Sequence, residues 1–219
     1  MSTVAPNPTA ERTDVRSGWH ACKRLLVVDD HPAMRTGLRD LLGDERDFDV
    51  VAVTASAEAA LTVAEREPID VAVVDYQLGE GRNGLWLSRK LKRLPQPPAV
   101  LIYSAYTDGV LAAAAVVAEA DAIVSKASLG SELCDAIRSV AAGLLHLPPV
   151  PPALAGTLRS RLDDQEQAIF GMLLAGIEPA EVAATLDLPA TGLESRLWSM
   201  LRRLEGRSPR ISASPRFPP

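Results

Sequence analysis

The sequence predicts an α/β fold, a five-stranded doubly wound parallel sheet, followed by a small all-α domain. Three observations predict it. Apolar, mostly β-branched runs such as Val71-Ala72-Val73-Val74 read as strands buried on both faces. Five such runs alternate with five helical patterns between residues 23 and 143, which implies right-handed crossovers and helices on both sheet faces. Beyond a proline-rich break, apolar residues recur only at helical spacing.

The elements follow in order. Arg24 to Val28 is the first strand, and a helix starts just after Asp30 with Pro32 in its first turn, where a missing N–H costs little. Met34, Leu38, Leu41 and Leu42 give that helix its spacing. Phe48 to Val53 is a second strand. Ser56 caps a helix over Ala57 to Glu67, which Pro68 closes. Ile69 to Asp75 is the third strand. Gly79, Gly81 and Gly84 mark a loop, and a helix covers Leu85 to Leu94 until Pro95, Pro97 and Pro98 break it. Ala99 to Tyr103 is strand four, Asp108 caps an Ala-rich helix to about Ala120, Ala122 to Ser125 is strand five, and Leu129 to Ala142 is the last helix of the unit.

Leu147-Pro148-Pro149-Val150-Pro151-Pro152 cannot be helix or central strand, and residues 144–158 read as a semi-rigid linker. Three helical segments follow within 159–206. Asp163 to Ala175 ends at Gly176, Pro179 to Leu186 is short, and a third opens at Pro189 with Leu193, Leu197, Met200, Leu201 and Leu204 as its stripe. That arrangement suits a helix-turn-helix. Residues 1–22 read as a disordered extension and the Pro-bearing 207–219 as a disordered tail.

With aromatics at 4%, the cores must be built from Ala, Val and Leu. The net charge of −5 argues against a uniformly basic, nonspecific nucleic-acid binder while leaving room for a local basic patch. Cys22 and Cys134 match no metal-ligand spacing and read as reduced thiols. No apolar run approaches the roughly 20 residues that span a bilayer, and the N-terminal stretch lacks the apolar core of a signal peptide, so no membrane association and a cytoplasmic location are expected.

The chemistry gathers at the carboxyl edge of the predicted sheet, where open α/β sheets place their ligands. Asp29 and Asp30 follow strand one, Asp75 ends strand three, Ser104 follows strand four and Lys126 follows strand five. Packed carboxylates repel unless a cation or protons intervene. Hard carboxylate oxygens suit Mg²⁺, Lys126 could hold phosphate, and one Asp left free could attack phosphorus to form an aspartyl phosphate. Taken singly, an Asp at a strand end often only caps a helix, and a lone Lys is most often a solvated charge. Their coincidence on one edge carries the reading.

The motifs LLVVDDHPAMRTGL, VAVVDYQLGEGRNGL, VLIYSAYTD and AIVSKAS resemble, in order, those of a response-regulator receiver domain of the LuxR/NarL type, over residues 23–143. The resemblance implies a flavodoxin-like receiver with Asp75 as phospho-acceptor, Asp29 and Asp30 as Mg²⁺ acids, and Gln77 lending its backbone carbonyl to the metal. It implies Ser104 as switch hydroxyl, Lys126 as phosphate-binding lysine, and a structural His31. Two positions depart from the pattern: Gly79 stands where the family often has Pro, and Ile123 where it usually has the aromatic that turns inward on phosphorylation. Tyr106 could compensate.

The segment LDDQEQAIFGMLLAGIEPAEVAATLDLPATGLESRLWSMLRRL is similar to a LuxR-type helix-turn-helix, whose third helix enters the major groove. From Gly192 onward six Arg face two Glu, a net +4, and Arg196, Ser199, Arg202 and Arg203 are the candidate DNA contacts. Gly192-Leu193-Glu194 replaces the family's Thr-Val-Lys, Asp163-Asp164 replaces Thr-Pro, and prolines after Gly206 leave no room for a fourth helix. The expectation is therefore a non-enzymatic response regulator, phosphorylated by a sensor histidine kinase, forming a homodimer and binding promoter DNA. The alternative is a signalling adaptor whose helical domain binds protein. A small-substrate phosphohydrolase is disfavoured because Gln77 stands where such enzymes commonly carry a second acid.

Overall fold

β1 (Lys23–Val28), β2 (Phe48–Thr54), β3 (Val71–Asp75), β4 (Ala99–Ser104) and β5 (Ala122–Ser125) pair in parallel in the order β2-β1-β3-β4-β5. The structure, a computed structural model, describes residues 22–79 and 82–205. Gly81, the expected disordered extension 1–22 apart from Cys22, and the expected tail 207–219 lie outside the described residues, as does the prediction that no fourth helix follows Gly206.

The alternation along each strand divides the core. Leu25, Val27, Val71, Val73 and Leu101 face α1 (Pro32–Gly43) and α5 (Gly130–Ala141). Leu26, Val28, Ala72, Val74, Val100 and Ile102 face α2 (Ala57–Ala64), α3 (Gly84–Leu91) and α4 (Gly109–Val117). The crossovers after β1 and β3 go to opposite faces, which opens a crevice at the carboxyl ends of those two strands. Caps hold three of the helices in register. The side chains of Ser56, Asn83 and Asp108 accept the backbone N–H of Ala59, Trp86 and Leu111 at 3.2, 2.9 and 2.8 Å.

α6 (Pro152–Arg159), α7 (Asp164–Leu174), α8 (Pro179–Thr185) and α9 (Ala190–Glu205) complete the described chain. α6 corrects the sequence reading, which gave 144–158 to a semi-rigid linker and allowed no helix at Pro152. Pro152 opens a helix instead of blocking one, because the first turn needs no N–H from it. Leu158 is fully buried, and a Cβ on Gly109 would meet Leu154 at 2.6 Å, so α6 is pressed onto the start of α4. Further back, Ile123 N–H donates to the His146 carbonyl at 3.0 Å and His146 N–H to that of Asp121 at 2.8 Å. The proline segment is thus anchored at both ends.

α7 begins with a capping box between Asp163 and Glu166, so Asp163 is the cap and not the first helical residue. Gly176 ends it at φ +79°, a left-handed turn that glycine adopts without strain. α4, with the sequence GVLAAAAVV, has no polar face. A helix apolar all round is covered all round. The sheet covers one side of α4, and α6, α7 and α9 the other, so one apolar core runs from β1 and β3 into the C-terminal helices. Among the described residues no helix is long and apolar enough to cross a membrane.

Candidate functional site

The crevice collects the predicted acids. Asp29 and Asp75 are buried at 1% and 4% exposure, and Ser104 is equally enclosed. Lys126 reaches from beyond β5 to both acids, with Nζ 2.7 Å from Asp29 Oδ2 and 2.9 Å from Asp75 Oδ2. It is therefore no solvated surface charge. Burial alone would lower its pKa, but the hydrogen bonds it donates to Asp29 and Asp75 outweigh that and hold it above the usual lysine range. Backbone donors fix the other oxygens: His31 N–H lies 2.8 Å from Asp29 Oδ1, and Gln77 N–H 3.1 Å from Asp75 Oδ1. Ser104 Oγ accepts Tyr106 N–H at 3.0 Å, while the Ser104 carbonyl accepts Lys126 N–H at 2.7 Å.

Burial pushes the Asp75 carboxyl above its ordinary pKa; Lys126 pulls it down without cancelling the effect, and nearby Asp29 adds to the rise. Ionised Asp75 is therefore at a disadvantage until more positive charge arrives. Asp30 Oδ1 is buried with no hydrogen-bond partner, although His31 Nδ1 stands 2.6 Å away. Ligand atoms of Asp29, Asp30, His31 and Asp75 all lie within 4.8 Å of one another. Three hard carboxylates gathered this closely fit a divalent cation. The structure thus brings Asp29, Asp30, Asp75, Ser104, Lys126 and Gln77 together. Ile123 is a buried core residue, whereas Tyr106 is 43% exposed.

The candidate contacts on α9 do not share one free face. Arg196 pairs with Asp163 Oδ2 at 2.7 Å and Arg203 with Glu166 Oε2 at 3.0 Å, both at the start of α7. Arg202 is exposed and Ser199 half-buried.

Another charged cluster escaped the sequence reading. Arg89 of α3 is fully buried and pairs with Glu119, at 2.6 Å, and with Glu194 of α9. Arg93 Nε lies 2.7 Å from Glu194 Oε2, and its guanidinium also meets Glu119. Beside them Trp86 and Trp198 meet at 6.4 Å between ring centroids. The Lys90 ammonium stands 5.7 and 5.5 Å from those two rings, within cation–π range. Burial pulls Arg89 below its ordinary pKa against the pull of Glu119 and Glu194. The available signal was Arg89 itself, four residues after Leu85 and so on the stripe that α3 buries.

The geometry agrees with the comparisons. The response regulator receiver domain family matches residues 25–138. The chain is 34% identical over 192 residues to the DNA-binding transcriptional activator DevR/DosR of Mycobacterium tuberculosis (strain ATCC 25618 / H37Rv), covering 83% of this chain and 88% of the relative. It is 25% identical over 201 residues to the nitrate/nitrite response regulator protein NarL of Escherichia coli (strain K12), covering 87% and 92%. Among solved structures, a two-component response regulator of the LuxR family from Aurantimonas sp. SI85-9A1 superposes with a TM-score of 0.55 at 29% identity, over 62% of this chain and 94% of that one. The response regulator in an RcsB–DNA complex shares the fold over 84% of this chain and 92% of its own, at a TM-score of 0.55 and 19% identity. A receiver sheet closed around an acidic crevice, followed by four helices and matched along most of a full-length relative, places this chain in the response-regulator family, in its LuxR/NarL-type branch.

Proposed function

We propose that Asp75 accepts a phosphoryl group from a sensor histidine kinase and that the C-terminal helices answer by binding promoter DNA. The observation that carries the first half is the Lys126 bridge to Asp29 and Asp75, next to an Asp30 oxygen without a hydrogen bond. A carboxylate oxygen of Asp75 attacks phosphorus, the phosphorus–nitrogen bond of a phosphohistidine breaks, and its electron pair returns to the kinase imidazole. Asp29, Asp30, Asp75 and the Gln77 backbone carbonyl would hold Mg²⁺, which offsets charge on the transferring group. Lys126 exchanges one carboxylate partner for a phosphoryl oxygen, and Ser104 Oγ lies ready to donate to another.

The second half rests on α9 as the DNA-reading helix. In the described state its Glu194 and Trp198 are turned to the receiver and two of its arginines to α7. Reading DNA therefore requires the helix to leave α4, and a homodimer of released chains would supply two such helices. Phosphorylation acts by shifting that population, not by creating a new fold.

A second reading, an adaptor whose helical domain binds protein, is favoured by one observation. Glu194, where a basic residue would meet phosphate, is committed to Arg89 and Arg93. Incubation of the full chain with acetyl phosphate and Mg²⁺, followed by intact mass of wild type and Asp75→Asn, tests the phosphoryl half. Selection from random duplexes with the phosphorylated chain tests the DNA half. Enrichment of one sequence supports it; binding that is salt-sensitive and blind to sequence hands the role to the adaptor reading.

A further inference from the structure

We propose that the signal leaves the acidic crevice along α3, and that Arg89 and Arg93 are the latch by which α3 holds α9. The inference rests on Asp75 being the phospho-acceptor.

The first end of the route is steric. α3 starts at Gly84, where a Cβ would stand 2.4 Å from the backbone oxygen of Asp75 and 3.1 Å from Val74 Cγ1. Gly84 N–H donates to the Tyr76 carbonyl at 2.8 Å. The loop that leaves β3 at Asp75 therefore returns to that same peptide before α3 begins. Backbone adjustment at Asp75 to Gln77, where a new phosphoryl group must be accommodated, moves the start of α3 with it. A helix transmits such a shift as a rigid rod: Gly84 to Arg89 is about 7.5 Å of rise.

The second end is electrostatic. Arg89 has no exposed surface, yet its Nη1 donates to the Val117 carbonyl at 3.1 Å and to Glu119 at 2.6 Å, and its Nη2 meets Glu194. Its Nε is buried without a partner. Glu119 sits at φ +58°, a left-handed conformation uncommon for a side chain of its kind, with its carboxylate against both arginines. Two guanidinium groups and two carboxylates are balanced only while α9 supplies Glu194. Displacing α3 misaligns the hydrogen bonds around Arg89, which has no exposed surface and so no water to replace them, and α3 and α9 let go together. The Trp86–Trp198 contact lies on the same seam and parts with it.

Linkage makes the coupling reciprocal: what loosens the latch must favour the phosphorylated state by the same factor. The test uses hydrogen exchange and intact mass on the full chain, with acetyl phosphate and Mg²⁺ as the probe. On phosphorylation of the wild type, amides of 85–91 and of 193–204 should exchange faster together, by about fivefold or more. Glu194→Gln should give the faster exchange in 193–204 without phosphodonor and raise the fraction of chain carrying phosphate. Arg93→Gln, at a half-exposed position that leaves the buried core alone, should do the same to a smaller degree. Faster exchange in 193–204 with 85–91 unchanged overturns the α3 route, and an unaltered phosphorylated fraction in both variants overturns the coupling. A wild type that takes up no phosphoryl mass fails differently, because it removes the reading of Asp75 on which the route is built.

Discussion

The acidic crevice and the α3–α9 seam are both charge clusters built on fully buried members, Asp29 and Arg89, and they differ in balance. The crevice holds three carboxylates against one lysine and the His31 ring, with Asp75 pushed above its ordinary pKa by burial. The seam sets two arginines against two glutamates and closes on itself. A cluster with excess charge in a low-dielectric place invites a ligand of opposite sign. A balanced one excludes ligands and joins the elements that carry its members. The same chemistry thus makes a binding site in one region and a fastening in the other.

Upsetting each balance tests that contrast. The largest effect belongs to the crevice. Asp75→Asn should abolish uptake of phosphoryl mass, and Lys126→Met should slow it about 100-fold, the scale of losing one electrostatic contact to the reacting group. Without Mg²⁺, Asp75→Asn should also raise the urea midpoint. A carboxyl whose folded pKa is raised opposes folding once pH exceeds its ordinary value, and the amide carries no charge. An unchanged or lower midpoint would mean that the crevice is not overcharged.

Next comes the seam. Arg89→Met leaves Glu119 and Glu194 facing an apolar side chain and should cost on the order of 3 kcal/mol in a denaturant titration. Adding Glu194→Gln should recover part of that loss, because the two residues share one interaction. Strictly additive losses would show that the seam is not a unit. Mg²⁺ should then stabilise the crevice and leave the seam unaffected. At about 100 times its dissociation constant it should add about 2.7 kcal/mol, reversed by EDTA and lost in Asp30→Asn.

The smallest effect is a control outside both clusters. Hydrogen bonds from Arg138 hold the Asp47 carboxyl below its ordinary pKa. A depressed folded pKa gives stability present above the ordinary carboxylate value and lost as pH falls through the folded one. Asp47→Asn should flatten that acid-side loss and change stability at neutral pH by less than about 1 kcal/mol, since the pair is exposed.

Much of this was legible in the linear chain, for reasons that differ by residue. The β-branched runs ending in Asp29 and Asp75 announced buried strands with acids at one edge, because periodicity and strand direction are local properties. Lys126 was legible only in combination; alone it reads as solvated, and its 17% exposure follows from where β5 ends relative to β1 and β3. Pro151-Pro152 misled, since the same residue that stops a helix interior begins a helix at its first turn. Glu194 looked like a lost DNA contact, because its partners lie 105 and 101 residues away, on α3 and just past its end.

By itself the sequence determined the alternation of strands and helices, the acids delivered to one edge of the sheet, and the helical character of the C-terminal third, all of which rest on interactions among neighbours in the chain. It also held, in the polar-free GVLAAAAVV, the requirement that α4 be covered on every side. Only the tertiary structure decided what does the covering. α9 fills that place, and burying its face beside α3 brings together charges that no local pattern relates, because a salt bridge between distant segments depends on packing and not on spacing along the chain.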